Sequence, residues 1–441
     1  MKVIVNSGQE SPVKKIFFKY VLQNILGMIG ISFYILADTY FISKAVGAKG
    51  ITALNLVLPV YSVIFAIGAM IGVGSAIRFS ITRNRSEKQD GYFFNAIFFA
   101  AVIGFIFILT GILAPDKVVA LLGGDEEIVA IGTSYTRIFM MFAPFFMWNH
   151  ICNAFVRNDG APGIAMSATL ISSLFNVVFD YVLMFPCKMG MEGAALATAL
   201  SPLVGVGICC IHFFSKKNTV PLRPVRPSVK MLVRSCQLGI AAFVGEISSG
   251  IITVAFNIII LGMAGNIGVA AYGVVANVAL VAIAVFNGVS QGSQPLLSRY
   301  YGQGDKKSVN ETLKYSIGTS FFMSVLLIAV IYVFANPITE LFNSENISML
   351  TDYAVKGLRL YSIGFVFAGI NIVGSGALSA IEAATWAFVV SITRGFVAIL
   401  VCAVIMSALF GMTGVWLAFP AAELITLFLT ITALVKKMRG K

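Results

Sequence analysis

The sequence predicts an all-α integral membrane protein whose twelve transmembrane helices form two six-helix bundles, related by a pseudo-two-fold axis along the membrane normal. Its composition excludes a water-soluble domain, since 58% of the 441 residues are hydrophobic, 11% are charged and the mean hydropathy is +0.91. Twelve apolar runs are long enough to cross the hydrocarbon core of a bilayer. In addition, the second half of the chain repeats the first.

The positions of the twelve spans follow from the apolar runs alone. The predicted spans cover residues 16–43, 51–77, 92–114, 128–152, 163–186, 191–215, 236–263, 267–297, 312–335, 352–379, 385–409 and 411–435. No Ala-x-Ala cleavage site follows the first run, which is also too long for the apolar core of a signal peptide. We therefore expect the first helix to be retained.

The basic residues predict how the chain is oriented. With the N-terminus inside, most of the 31 Lys and Arg residues fall in cytoplasmic segments, and only Lys44, Lys49, Lys117 and Lys188 fall outside. Because cytoplasmic loops are enriched in Lys and Arg, we expect both termini in the cytoplasm and the chain in the inner (cytoplasmic) membrane of the cell. The net charge of +12 is then a topology signal and a contact surface for the lipid bilayer, and it does not indicate a nucleic-acid partner.

Three pairs of segments carry the internal repeat. VGAKGITALNLVLPV (46–60) corresponds to AGNIGVAAYGVVANV (264–278), GVGSAIRFS (72–80) to SQGSQPLLS (290–298), and MGMEGAALA (189–197) to FGMTGVWLA (410–418). The offset is 218 residues for the first two pairs and 221 for the third. Because each half holds an even number of helices, the copies should run in the same sense. We predict an N-terminal lobe at 1–215, a cytoplasmic linker at 216–235 and a C-terminal lobe at 236–441.

The segment ISFYILADTYFI (31–42) places a single carboxylate, Asp38, inside a long apolar run. Tyr34 precedes it by one helical turn, so both side chains lie on one helix face. A charge at this depth costs ~2.5 kcal/mol or more and usually marks an ion or substrate path. We therefore expect Asp38 to be functional rather than structural.

A second polar face lies in the fifth predicted span, where Asn176 and Asp180 are one turn apart. The repeat does not copy these acids: adding 218 to 38 gives Phe256, and adding 221 to 180 gives Val401. The two halves thus share a scaffold but not their charges. We expect an ion site that is confined to the N-terminal lobe.

Further polar side chains recur at helical spacing in the seventh and eighth predicted spans. They are Glu246 and Asn257 in the seventh and Asn287 and Gln291 in the eighth. Together with Tyr34, they are predicted to line a wet central cavity and to contact substrate.

In the twelfth predicted span, the acid Glu423 is expected to pair with Arg394 of the eleventh, with a substrate contact as the alternative. The six cysteines lack CxxC spacing and are interpreted as small apolar residues. His150 and His212 are too far apart in sequence to predict a metal cluster.

Over nearly its whole length, the chain resembles the multidrug and toxic compound extrusion (MATE) family. The segments that carry the resemblance are LADTYFI, VRNDGAPGIAMSATLISSLFNVVFDYVL, MGMEGAALATALS, VAAYGVVANV, GVSQGSQPLLSRYYGQGD and FGMTGVWLAFPAAE. The resemblance implies two six-helix lobes around a central cleft, and efflux driven by proton or sodium entry. It also implies that Asp38, Asn176 and Asp180 form the cation-coupling site of the N-terminal lobe, with Na⁺ at these three residues as one alternative. A proline that bends the first helix in some members is absent here.

These observations lead to the expectation of a cation-coupled antiporter that exports cationic or amphipathic drugs by alternating access. We expect no enzymatic activity, no cofactor other than H⁺ or Na⁺ as the coupling ion, and function as a monomer. Two alternatives remain. A flippase for lipid-linked saccharides would need basic residues for pyrophosphate, whereas the predicted polar faces are acidic and amide-rich. A membrane-embedded enzyme would need a catalytic cluster near the membrane surface, and the loops show none.

Overall fold

The computed structural model describes residues 12–84, 91–343 and 347–439, and every regular element in these ranges is helical. In a bilayer a helix satisfies all backbone polar groups within its own segment. The α-helices are α1 (Pro12–Ala45), α2 (Ala48–Asn84), α3 (Tyr92–Leu113), α4 (Pro115–Leu121), α5 (Glu126–Met141), α6 (Ala143–Asn158), α7 (Pro162–Met184), α8 (Gly190–Phe213), α9 (Val229–Gly302), α10 (Lys306–Phe342), α11 (Ser348–Ser362), α12 (Phe365–Ala380), α13 (Ala384–Ile392) and α14 (Ala398–Met438). A π-helix at Thr393–Val397 joins α13 to α14.

The prediction of twelve spans in a multi-pass membrane protein is confirmed. Eight helical stretches are long and apolar enough to cross a bilayer, and the bent pairs α5–α6 and α11–α12 bring the total to ten. The stretches that contain α9 and α14 are each broken at a glycine, Gly265 and Gly411, and each holds two spans. The described residues therefore contain twelve spans.

The breaks in α9 and α14 occur at glycines with a left-handed backbone. The φ angle is 60° at Gly265 and 58° at Gly411, where a side chain would be strained. At the equivalent positions of the first half, Gly47 has a φ of 79° and Gly190 a φ of 53°. These pairs are 218 and 221 residues apart, so the repeat seen in the sequence is also present in the backbone.

The helices differ from the predicted spans in two respects. The fourth and tenth spans are bent by 48°, at Phe142 and between Ser362 and Phe365. The first of these bends lies just before Pro144, which has no N–H to donate into the preceding turn. Many helices also extend beyond the apolar runs, and α9 begins at Val229, inside the predicted linker.

Each lobe has its own apolar core. In the first lobe, α1 to α8, the core includes Phe79, Phe139 and Phe155; in the second lobe, α9 to α14, it includes Phe256 and Trp416. Smaller clusters of apolar side chains join the two lobes.

The lobes contact each other near the end of the molecule where the loop 214–228 lies, which we call the linker face. Ser298 donates to Ser80 at 2.9 Å, and Arg78 forms an ion pair with Glu382. Ser80 and Ser298 are 218 residues apart, so they are equivalent positions of the repeat. The hydrogen bond between them therefore lies on the pseudo-two-fold axis.

Small residues allow the helices of the two lobes to cross closely here. A Cβ atom on Gly74 of α2 would lie 2.0 Å from the carbonyl oxygen of Ser235 and 2.9 Å from the backbone nitrogen of Gly239, both in α9. A Cβ atom on Gly292 of α9 would lie 2.7 Å from the Cα atom of Val21 in α1. Such contacts are possible only where side chains are small. Positions 74 and 292, and positions 21 and 239, are each 218 apart, so the repeat relates the two crossings.

Candidate functional site

The carboxyl groups of Asp38 and Asp180 come together between α1 and α7. Asp38 is partly exposed, whereas Asp180 is fully buried, with 0% of its surface exposed. The two carboxyl groups are close enough to share a hydrogen bond. The two helices are in contact here, since a Cβ added to Gly27 of α1 would lie 3.7 Å from Thr169 Cβ of α7, at van der Waals distance.

Asn176 links this pair to α8. With its amide assigned the orientation that satisfies both neighbours, its nitrogen donates to Asp180 Oδ2 at 3.1 Å, and its oxygen accepts from the hydroxyl and the backbone N–H of Thr198, both at 3.2 Å. Asn176 is also fully buried. Because both ends of the amide are held, it positions the Asp180 carboxylate. The structure thus places Asp38, Asn176 and Asp180 in one cluster.

Three hydroxyl groups that we did not single out from the sequence complete this cluster. Tyr61 of α2 lies 3.0 Å, hydroxyl to hydroxyl, from Tyr34. Tyr135 of α5 is within hydrogen-bond range of Thr198. In sequence, a tyrosine or threonine inside an apolar run resembles any residue that joins helices. Only the proximity of five helices shows that these hydroxyls surround the two acids.

The charge of the acidic pair is uncompensated. Within the described ranges, no Lys, Arg or His forms an ion pair with Asp38 or Asp180. One oxygen of each, Oδ1, is buried without a hydrogen-bond partner. Two adjacent carboxylates in a dry environment cannot both stay ionised without a cation. The described residues contain no group of three metal-ligating His, Cys, Asp or Glu side chains. A carboxyl pair of this kind can take up a proton or a monovalent cation.

The other predicted cavity residues have different surroundings. Glu246 of α9 is partly exposed and lies near Tyr34 of the other lobe. Gln291 instead accepts a hydrogen bond from Arg157 at 2.6 Å, in the contact between the lobes. Asn257 and Asn287 are partly exposed on α9 and, within the described ranges, hydrogen-bond to no other side chain. The structure does not bring these four residues into one cluster.

Comparison with known sequences identifies the family. A sequence model of MatE matches residues 24–182 and 241–404, once in each half of the chain. The chain belongs to the MATE family. The multidrug export protein MepA of Staphylococcus saprophyticus is 27% identical to this MATE-family chain over 421 residues, covering 95% of the chain and 92% of MepA. MepA of Staphylococcus aureus (strain MRSA252) is 28% identical over 421 residues, covering 94% and 92%.

Solved MATE structures share the fold of this chain. An outward-facing multidrug resistance MATE transporter of the MOP superfamily superimposes with a TM-score of 0.89 at 22% identity, covering 97% of this chain and 96% of that one. A MATE protein in complex with MaL6 gives a TM-score of 0.90 at 23% identity, with the same coverage. The two-bundle architecture is therefore that of the MATE fold.

The second lobe of this MATE-family chain also contains a buried acid, Glu423, of which 2% is exposed. The Nε atom of Arg394, in the π-helix, donates to Glu423 Oε1 at 2.7 Å, and Asn371 donates to Oε2 at 2.8 Å. Thr430 in turn donates to the Asn371 side-chain oxygen at 2.8 Å. The predicted pair of Glu423 and Arg394 is present, and this carboxylate is fully satisfied within the lobe.

Proposed function

We propose that this MATE-family protein is a cation-coupled antiporter that exports cationic or amphipathic compounds by alternating access. The observation that carries the proposal is the pair Asp38 and Asp180, two adjacent carboxyl groups with no basic partner and one unpartnered buried oxygen each. The MepA relatives, which are named multidrug export proteins, support the export of small molecules. The family and its relatives also favour transport over enzymatic catalysis.

We place the linker face in the cytoplasm, because the basic residues favour cytoplasmic termini. The contacts between the lobes at the linker face then close the cytoplasmic side, and the space between Tyr34 and Glu246 is reached from outside. An external cation neutralises the carboxyl pair. Because the cation binds the two arrangements of the lobes with different affinities, it shifts the protein towards the inward-open state. Loss of the cation to the cytoplasm frees the acids again.

The cation and the drug need not bind together in this scheme. A cationic drug is attracted by Glu246 and by the single negative charge that Asp38 and Asp180 retain when they share one proton, and one entering monovalent cation neutralises that charge. Ion entry therefore weakens drug binding on the outer side, where the drug must be released. The same acids would disfavour the pyrophosphate of a lipid-linked saccharide, which weighs against a flippase.

The remaining assignments follow from this scheme. We propose that the protein works as a monomer in the cytoplasmic membrane, since the carboxyl cluster is built from helices of one chain. The division into lobes at 1–215 and 236–441 stays a prediction.

Ethidium efflux from loaded cells tests the proposal. Asp38→Asn and Asp180→Asn each remove a titratable oxygen while keeping the shape, and each should reduce efflux by at least about tenfold, to the level of the empty vector. Asp116→Asn, at an exposed position of α4, is the matched control and should be silent. Unchanged gradient-dependent efflux in both pair variants would contradict the assignment of the site.

The coupling ion is decided by the gradient that drives efflux. With sodium replaced by choline, a proton-coupled protein keeps its efflux and loses it on addition of a protonophore. A sodium-coupled protein loses efflux in choline and keeps it when only the pH gradient is collapsed. If neither gradient affects the efflux of any tested cation, the proposed coupling is wrong.

A further inference from the structure

A ladder of polar side chains leads from the carboxyl pair towards the linker face. Below Asn176 on α7, Thr169 donates to the side-chain oxygen of Asn153 on α6 at 3.5 Å. Asn153 donates to the side-chain oxygen of Asn149 at 2.9 Å. Asn149, Asn153 and Arg157 recur at four-residue steps and share one face of α6. Such a row of hydroxyl and amide oxygens offers ligands to a cation that moves down from the carboxyl pair.

Arg157 stands at the lower end of the ladder, in the contact between the lobes. Only 7% of its surface is exposed. Its Nη1 atom donates to Asn24 Oδ1 of α1 at 3.1 Å and to Gln291 Oε1 of α9 at 2.6 Å, and its Nε atom is buried without a partner. The guanidinium group therefore bridges the two lobes beneath the ladder, held by neutral amide oxygens.

No acid neutralises this guanidinium group. Asp159, the nearest acid in sequence, has other partners. Its carboxylate accepts hydrogen bonds from Arg83 at 2.8 Å and from the backbone N–H of Thr219 at 2.9 Å, and it pairs with His212 at 2.8 Å. Within the described ranges, no carboxylate lies within ion-pair distance of Arg157. A buried positive charge without a counter-ion is costly and calls for a functional reason.

We propose that Arg157 is an electrostatic plug that keeps the coupling cation from leaking to the linker face while the lobes are closed there. The inference rests on the proposed cation coupling. A fixed positive charge that lines a narrow polar route repels cations strongly, because the surroundings are poorly polarisable. Amide partners suit this role, since they hold the guanidinium group in place without cancelling its charge. When the lobes separate at the linker face, the contact with Gln291 breaks and the route opens.

Cation leak without drug tests the plug directly. Purified protein in proteoliposomes is exposed to an inward proton or sodium gradient, and flux is read from trapped pyranine or from ²²Na⁺ uptake. Arg157→Gln, which removes the charge, should raise the leak about tenfold or more, and Arg157→Lys, which keeps it, should stay near wild type. Gln291→Glu keeps the size of the partner but places a carboxylate against Arg157. Because this carboxylate neutralises the guanidinium charge, the variant should also leak the cation. Ser298→Ala removes a contact between the lobes without changing charge and should remain tight.

The pattern across variants decides between charge and shape. Equal leak in Arg157→Lys and Arg157→Gln, or a tight Gln291→Glu, would overturn the plug, because the fit of the side chain and not its charge would then matter. If Arg157→Gln does not give a monodisperse protein, Gln291→Glu decides alone. The readout is independent of drug transport. If the wild-type protein moves no ion when drug is added, the proposal of cation coupling is wrong. If the wild-type protein couples ion and drug but the variants do not leak, only the proposed plug is wrong.

Discussion

The acidic pair of the first lobe and Glu423 of the second are buried in opposite ways. Among the described residues, Asp38 and Asp180 have no basic partner, and each keeps a buried oxygen without a hydrogen bond. In the second lobe, Glu423 receives Arg394 on one oxygen and Asn371 on the other. The duplicated fold supplied the same scaffold twice, but these buried acids of the two lobes have different partners. We conclude that the depth of an acid alone does not show whether a base partners it.

The largest effect that follows from this comparison is on stability. Glu423→Gln leaves the partly buried Arg394 without its counter-ion and should lower the free energy of unfolding by about 1.5–3 kcal/mol. Thermal unfolding in detergent measures the change. Asp180→Asn is the matched control: it removes an acid that has no basic partner, so it should cost little stability while it abolishes coupling. Equal destabilisation by the two variants would contradict the distinction between the paired acid of the second lobe and the unpaired acids of the first.

A smaller effect should come from the hydroxyl groups around the acidic pair. Tyr61→Phe removes the hydrogen bond to Tyr34 and should weaken the positioning of the cluster by about 1 kcal/mol, a change of roughly fivefold in the concentration of ion that supports half-maximal efflux. The measurement is efflux rate against external ion concentration in proteoliposomes. Tyr332→Phe, in α10 of the other lobe, serves as the control. A shift of the same size in both variants would show that the hydroxyl of Tyr61 plays no part in ion binding.

The smallest effect is expected when the whole brace of the second lobe is replaced. A double variant, Arg394→Met with Glu423→Leu, removes both charges and fills similar volume, so the free energy of unfolding should change by less than about 1 kcal/mol. Efflux should persist, because neither residue handles the ion. Loss of efflux in a stable double variant would mean that the second lobe also takes part in coupling.

The sequence predicted the twelve spans well because the length of an apolar run is set by the bilayer. It also indicated Asp38 and Asp180, since an acid is conspicuous inside such a run. The ends of α9 were missed, because a helix that continues into water leaves no hydropathy signal. A proline usually kinks or ends a helix, yet α9 continues through Pro295 to Gly302.

Side chains that act only through their neighbours could not be found in this way. Tyr61, Tyr135 and Thr198 belong to the cluster because three different helices bring them to it. Gln291 was expected in the cavity, but the structure gives it a partner, Arg157, from a helix far away in sequence. One sequence carries no record of such pairings, whereas the pair of Arg394 and Glu423 was suggested by two opposite charges in adjacent apolar runs.

The hydrogen bond between Ser80 and Ser298 has a consequence for the origin of the fold. In a dimer of two identical half-length chains, a residue on the symmetry axis meets its own copy, so the contact must be self-complementary. A serine hydroxyl meets this requirement because it both donates and accepts. Fusion of the halves removes the requirement, since each copy can then mutate alone. The symmetry axis kept its matched serines, and the acids away from it were free to diverge into an unpaired carboxyl pair in one lobe and an arginine-paired acid in the other.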